Sequence, residues 1–258
     1  MRPKCVEPSL SIFVRLEAVS AQTFCYPLLN SANKMIPLRD SQPSRSFPAV
    51  TVWLIVLNVV VFLFEWSLEP FSRNLFVSVY GMVPSHFAFS SLFTSMFLHG
   101  GWMHLIGNMW FLWIYGDNVE DVLGRGKYVA FYLACGVLAA LVHLFFNLGS
   151  RIPTVGASGA IAGVMGAYVV VYPHARITTL LPIIIFFTTV ELPAWLILIY
   201  WFVIQIFSGV GNLANSTGVQ QGGVAWMAHV GGFLAGALLI KLLPTREPYR
   251  AYPELHWR

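Results

Sequence analysis

Apolar residues form six segments along the chain, each flanked by polar, charged or turn-forming residues. The segments run from Pro48 to Trp66, Trp102 to Gly116, Lys127 to Asn147, Ser158 to Tyr172, Leu192 to Phe207 and Ala225 to Leu243. Because lipid offers no hydrogen-bond partners, a membrane-crossing segment must satisfy its own backbone, as a helix does. The pattern therefore predicts an all-α membrane protein built as a bundle of six transmembrane helices.

Two stretches between these segments are too irregular to be spans. Residues 67–101 mix aromatic residues with prolines and glycines, which predicts an irregular outer loop between the first and second helices. Residues 173–191 contain an apolar run interrupted by Pro182, which favours an interfacial or re-entrant segment. We expect the outer loop and the uncharged loop 208–224 to shape access to the space between the helices.

Composition divides the chain into three parts. Residues 1–47 are mixed and polar and predict a cytoplasmic N-terminal tail, residues 48–243 predict the membrane domain, and residues 244–258 predict a cytoplasmic C-terminal tail.

The first residues do not resemble a signal peptide. The run Leu10–Ala21 is short and is interrupted by Arg15 and Glu17, so it is not read as a signal peptide. Met35 begins a stretch typical of a natural start, and residues 1–34 are therefore either a flexible tail or an upstream extension of the reading frame.

The overall composition supports a membrane protein. Hydrophobic residues make up 57% of the chain and charged residues only 10%, whereas about a quarter of a typical soluble domain is charged. No dense basic patch accompanies the net charge of +4, which argues against nucleic-acid binding. The three cysteines have no metal-type spacing and predict no disulfide framework.

The distribution of Lys and Arg predicts the orientation. All but two of the 15 Lys and Arg residues fall on one side of the predicted bundle, and the exceptions are Arg73 and Arg151. Cytoplasmic loops carry the excess of Lys and Arg in membrane proteins. We therefore expect both termini in the cytoplasm and a bacterial-type inner (plasma) membrane.

Three polar residues are expected at similar depth on the outer side. The segment from Ser158 to Tyr172 has 15 residues, about 22 Å of helix against roughly 30 Å of hydrocarbon. With its inner end anchored, Ser158 lies below the outer surface. The same reasoning applied to the second and sixth segments brings His104 and His229 to that depth.

Helical spacing predicts which faces meet. His104 and Asn108 are four residues apart and share one helix face. Small-residue stripes at Gly159-x-x-x-Gly163 and Gly232-x-x-x-Gly236 predict close approach of the fourth and sixth helices. Such stripes usually serve packing alone, and a lone serine in a span usually bonds its own helix. The joint placement of four polar residues is what indicates a site.

The chemistry of these residues favours a Ser–His pair. Serine needs a base within hydrogen-bond reach to become a nucleophile. Glu65, Asp117 and Glu191 fall at the ends of the predicted spans, so no carboxylate is expected beside the base. We therefore expect a dyad in which packing orients the histidine.

The motifs that carry this pattern are His99-x4-His104-x3-Asn108, Gly156-Ala-Ser158-Gly159 and Ala228-His229-x-Gly-Gly232. In their order and in their placement on the second, fourth and sixth helices, they resemble the rhomboid family of intramembrane serine proteases. The resemblance covers about residues 35–243. It implies a rhomboid-like six-helix bundle that cleaves transmembrane segments of other membrane proteins near their outer ends.

By this resemblance Ser158 is the nucleophile and His229 the general base. His104 and Asn108 resemble the oxyanion donors, assisted by the backbone N–H of Ser158. The best-known bacterial members carry a Tyr one turn after the serine, stacked on the histidine, where this chain has Ala162. They also carry a Trp-Arg pair in the first outer loop, which the stretch 90–95 lacks.

The expected partners are transmembrane substrates and the lipid bilayer, with no cofactor and no metal; the oligomeric state is left open. Three alternatives stand beside the protease: a noncatalytic rhomboid-like protein that binds or escorts membrane clients, a haem or metal protein using His99, His104 and His229, and a transporter. Loss of Ser or His would favour the first, and both residues are present.

Overall fold

The computed structural model describes residues 36–183, 186–214 and 225–248. This part of the chain is mostly helical. Its eight α-helices are α1 (Ala49–Ser67), α2 (Pro70–Tyr80), α3 (Ser91–Thr94), α4 (Trp102–Leu123), α5 (Arg125–Phe146), α6 (Ser158–Val171), α7 (Ala194–Ala214) and α8 (Trp226–Leu242). Its three strands are β1 (Ile36–Asp40), β2 (Arg176–Ile183) and β3 (Phe186–Pro193).

Helix α6 lies at the centre of the bundle and packs against α4, α5, α7 and α8. Every residue from Gly159 to Tyr168 is buried. A helix that is apolar and small all round can be surrounded by neighbours in this way. The site residue at its first position is therefore held by the most enclosed element of the fold.

Glycines let α6 and α8 approach until their backbones touch. A Cβ added at Gly232 would collide with the carbonyl oxygen of Gly159, and one added at Gly236 would collide with that of Gly163. The close approach that the two small-residue stripes predict is confirmed. Without it, side chains from the two helices would not come within hydrogen-bond distance.

Each of the six predicted apolar segments lies mostly within one helix, and most of the predicted bounds agree with the structure. Helices α1, α5, α6 and α8 begin and end within two residues of the predicted segments. Among the described residues, α1 and α5 are long and apolar enough to cross a membrane, and three shorter apolar helices accompany them (Ser158–Val171, Ala194–Val210 and Trp226–Leu242). Helices α4 and α7 each continue seven residues beyond the predicted end.

The acidic end of α4 explains its extension. The Glu120 carboxylate accepts hydrogen bonds from the backbone N–H groups of Val50 and Thr51, at 3.0 and 2.8 Å. It thereby caps the N-terminus of α1, where negative charge is favoured. Asp121 accepts from Arg45 N and from Ser46 Oγ, at 2.5 and 3.0 Å. The end of α4 therefore stays helical because Glu120 and Asp121 bind residues 45–51.

A three-stranded antiparallel sheet, in the order β1-β2-β3, joins this end of the bundle. The all-α prediction is wrong in this respect. Residues 173–191 are mostly part of the β2–β3 hairpin, which differs from the interfacial or re-entrant segment that we expected. Thr and β-branched residues, which favour strands, fill much of the hairpin. Strand β1 comes from the predicted N-terminal tail, whose residues 1–35 lie outside the described part.

The loop between α1 and α4 is irregular, as predicted, and consists of α2, α3 and two short 3₁₀ turns at Pro84–His86 and Ser95–Phe97. Backbone hydrogen bonds attach it to the segment before α6. Met82 and Thr154 exchange N–H···O bonds of 3.0 and 2.8 Å, and Gly156 N donates to Ser95 O at 2.9 Å. The outer loop thus holds the turn that leads into Ser158.

Candidate active site

Ser158 is the first residue of α6, and its position follows from the turn before it. Gly156 has φ of +124°, a conformation that favours glycine, and Ala157 precedes the helix in a near-helical conformation. The first backbone N–H groups of a helix have no partner within the helix and carry partial positive charge. Ser158 Oγ therefore sits beside a helix end suited to developing negative charge.

His229, on α8, contacts this hydroxyl. Its Nε2 lies 2.8 Å from Ser158 Oγ, across the close α6–α8 contact. The imidazole is buried, with 8% of the residue exposed. Ser158 Oγ–H can therefore donate to a neutral Nε2, which is the arrangement that activates serine.

Gln205, on α7, contacts the other nitrogen of the same ring. Its Oε1 lies 2.7 Å from His229 Nδ1. Because an amide oxygen only accepts hydrogen bonds, Nδ1 carries the proton and Nε2 keeps its lone pair for Ser158. Gln205 was not among the site residues predicted from the sequence. The signal that would have found it is a lone polar side chain within the apolar fifth segment.

Two tryptophan rings pack near the imidazole of His229, whereas Ala162 has no ring that could stack on it. The Trp201 ring lies 5.6 Å from the His229 ring with an angle of 35° between their planes, and the Trp226 ring lies 6.3 Å away at 85°. Ala162 itself is completely buried. Contacts from α7 and from the start of α8 therefore pack the histidine in this chain.

His104, on α4, faces the turn before Ser158. A Cβ built on Gly156 would lie 2.7 Å from His104 Cε1 and Nε2. Gly100 N donates weakly to His104 Nδ1, at 3.4 Å. A histidine that accepts at Nδ1 carries its proton at Nε2. His104 therefore presents an N–H donor toward the segment that precedes the serine.

Asn108 lies one turn further along α4 and is held by His99. Its Nδ2 is 2.9 Å from His99 Nε2, and it lies 3.5 Å from the position of a Cβ on Gly156. The backbone N of His99 donates to the Glu65 carboxylate at 3.2 Å. Glu65 was predicted only as a residue at the end of a span. In the structure its buried carboxylate supports the His99–Asn108 pair through this contact.

The structure thus brings the four predicted site residues around one turn. It also pairs His99 with Asn108, so this histidine is bonded to an amide. Among the residues that the structure describes, no group of three His, Cys, Asp or Glu side chains could hold a metal ion. The haem or metal alternative gains no support from this geometry.

A small cavity of about 30 Å³ lies beside Ser158, large enough for a water molecule. Small residues and two methionines form most of its wall, among them Met82, Met96, Gly136, Ala139 and Gly159. A group bound at the serine therefore has limited room next to it.

Comparison with known proteins finds relatives of this chain. Rhomboid protein 1, mitochondrial, of Saccharomyces cerevisiae is 28% identical over 191 residues, which is 72% of this chain and 50% of that protein. Presenilin-associated rhomboid-like protein A, mitochondrial, of Danio rerio is 32% identical over 136 residues, covering 52% of this chain and 35% of that protein. Rhomboid-like protein 11, chloroplastic, of Arabidopsis thaliana is 28% identical over 197 residues, with 74% and 64% covered.

The chain spans less than two thirds of the length of each of these relatives. The family model of the Rhomboid domain matches residues 86–246, which is more than half of the chain and contains Ser158, His229, His104 and Asn108. This protein therefore belongs to the rhomboid family and is an integral membrane protein.

Proposed function

We propose that this chain is an intramembrane serine endopeptidase that cleaves transmembrane segments of other membrane proteins. The observation that carries the proposal is the 2.8 Å contact between Ser158 Oγ and His229 Nε2, in a ring whose Nδ1 is already occupied by Gln205. A serine that only caps a helix would need no such base.

The proposed reaction begins when His229 Nε2 accepts the Ser158 proton and Oγ attacks the scissile carbonyl carbon. His104 Nε2–H, Asn108 Nδ2–H and the backbone N–H of Ser158 stabilise the oxyanion of the tetrahedral intermediate. His229 then returns the proton to the leaving amine, and the acyl-enzyme forms. Water, deprotonated by His229, attacks the ester carbonyl carbon, and His229 returns that proton to Ser158 Oγ as the C–O bond breaks and the acid product leaves.

The substrate is proposed to be a helix that unwinds near its outer end, because a stable helix buries its carbonyls in its own hydrogen bonds. The cavity of about 30 Å³ beside Ser158 supports a small side chain next to the cut. Alanine, glycine or serine fits that space, whereas an aromatic side chain would need Met82 or Met96 to move.

We propose six membrane spans, formed by α1, α4, α5, α6, α7 and α8, with α2 and α3 in the outer loop. Residues 48–243 would then form the protease domain. Two further features support this topology: most Lys and Arg residues of the described ranges lie at the ends opposite Ser158, and the short helix α6 starts at that serine.

The relatives named above carry mitochondrial or chloroplastic designations, which gives no support to the predicted bacterial-type plasma membrane. The topological part of the prediction stands as a proposal: both termini lie on the Lys- and Arg-rich side. Protease digestion of sealed vesicles tests it, because epitope tags at the two termini should be digested or protected together. Opposite behaviour of the two tags would contradict an even number of spans.

The activity is tested with the detergent-purified protein, a transmembrane reporter and a fluorophosphonate probe. Ser158→Ala should abolish both cleavage and labelling. Ser78→Ala is the matched control, since Ser78 is an outer-loop serine that bonds its own helix at Leu75 O. Cleavage that persists in folded Ser158→Ala would contradict the proposal. A wild type that neither cleaves nor labels would instead favour a noncatalytic protein that binds membrane clients.

A further inference from the structure

Gln205 is a buried amide on α7, whose preceding residues from Ala194 to Ile204 are apolar or aromatic. Its exposed fraction is 5%, while the neighbouring side chains of Ile204 and Phe207 are 38% and 73% exposed on the outer face of the bundle. Burying an amide without a partner costs several kcal/mol. A polar side chain that faces inward at membrane depth therefore indicates a specific contact.

That contact is the imidazole of His229. The 2.7 Å separation between Oε1 and Nδ1 is a strong hydrogen bond. If Nδ1 lost this acceptor, the proton could sit on either ring nitrogen. The tautomer protonated at Nε2 would direct an N–H toward Ser158 Oγ and could not remove its proton. The amide oxygen thus selects the tautomer that can act as a base.

The same oxygen faces the charge that forms during reaction. When Nε2 takes the serine proton, the ring becomes an imidazolium, and the dipole of a neutral amide stabilises its Nδ1–H. An Asn fills this place in Cys–His–Asn proteases. A neutral partner avoids the cost of burying a carboxylate in an apolar bundle.

Helix α7 also determines the plane of the ring. Trp201 lies four residues before Gln205, on the same face of α7, and its ring packs 5.6 Å from the His229 ring. Ala162, on α6, provides no ring for this purpose. One face of α7 therefore provides both the hydrogen bond and the ring packing.

We propose that Gln205 is a positioning residue of this site, which sets the tautomer and orientation of His229 from α7 so that the base is ready for Ser158. The inference rests on the proposed protease function.

The kinetic test replaces the amide while keeping its shape. Gln205→Met should lower kcat for the transmembrane reporter about 10-fold to 100-fold, the loss of one hydrogen bond to a charged group. KM should stay within twofold, because Gln205 does not touch the substrate in this arrangement. Gln205→Glu, which keeps an acceptor opposite Nδ1, should retain at least about tenfold more activity than Gln205→Met.

The matched control is Asn58→Leu. Asn58 is also a buried amide in a membrane helix, and its Nδ2 donates to Leu54 O on its own helix, α1. Its replacement should leave kcat unchanged. If Gln205→Met fails to fold, Gln205→Leu takes its place.

A spectroscopic test reads the hydrogen bond without catalysis. In ¹⁵N spectra of histidine-labelled protein, the His229 signals are those lost in His229→Ala. In the wild type they should report a proton on Nδ1 alone, and in Gln205→Met a mixture of both tautomers.

The two tests separate the possible failures. Wild-type kcat in Gln205→Met, an unchanged tautomer, or equal rates for Gln205→Met and Gln205→Glu would each overturn the positioning role. A wild type without any cleavage would instead overturn the proposed function, and the tautomer measurement would still decide whether Gln205 orients His229.

Discussion

A methyl group added at Gly156 is the most local perturbation of the proposed oxyanion donors. Gly156 precedes Ser158 by two residues and has φ of +124°. An L-residue in a glycine-only region costs about 1–3 kcal/mol. The new Cβ would lie 2.7 Å from the His104 ring, whereas carbon contacts prefer about 3.5–4.0 Å. His104 must therefore move by about 1 Å.

A displacement of about 1 Å in a catalytic group can lower a rate about 100-fold. We expect Gly156→Ala to fold with a reduced melting temperature and to cleave the transmembrane reporter about 100 times more slowly than the wild type. The measurements are the initial cleavage rate at saturating reporter and the melting temperature in detergent.

Gly149→Ala is the control in the same segment, since no heavy atom lies within 4 Å of a Cβ at Gly149. It should cleave at the wild-type rate. If Gly156→Ala also keeps the wild-type rate, or if both variants lose activity equally, the placement of His104 beside this turn has no role in the reaction.

Three further predictions concern the base, the acidic end of α4 and pH. His229→Ala should be nearly as damaging to the cleavage rate as Ser158→Ala, because the two groups act as a unit, whereas Asn108→Ala should cost about 10²–10³-fold for one oxyanion donor. Asp117→Asn should leave most of the cleavage rate, and inactivation of that folded variant as complete as that of His229→Ala would contradict a site without a carboxylate. Burial raises the pKa of Asp40 to about 6 from 3.8, although its hydrogen bond from Tyr168 opposes this. Between pH 3.8 and about 6, the folded state therefore binds more protons than the unfolded state, so the free energy of unfolding should fall as the pH rises through this range. Denaturant titrations at several pH values should show this fall in the wild type and its loss in Asp40→Asn.

The sequence predicted most of the helices because a membrane helix is a local structure. Its hydrogen bonds join residues four apart, and its apolar composition is visible in a single window. The boundaries of α1, α5, α6 and α8 follow from this property. The family was also predictable, since three separated motifs agree in order and spacing.

The sheet was not predictable in the same way. Strand β1 pairs Ile36 with Leu180, residues separated by most of the chain, and β1 by itself resembles a polar tail. The extension of α4 has a similar origin, because Glu120 and Asp121 remain helical by binding residues 45–51. Both features depend on contacts between distant parts of the chain.

The candidate site also has features that the sequence predicted and one contact that it did not. Segment length and spacing predicted Ser158, His229, His104 and Asn108 as one group, and the structure places them around the turn before α6. The partner of His229 Nδ1 was not predictable, because Gln205 reaches the ring only when α7 packs beside α8. Depth follows from the length of each helix, which the sequence contains; the rotation of one helix against another follows from the packing of all their side chains at once, and only the tertiary structure decides it.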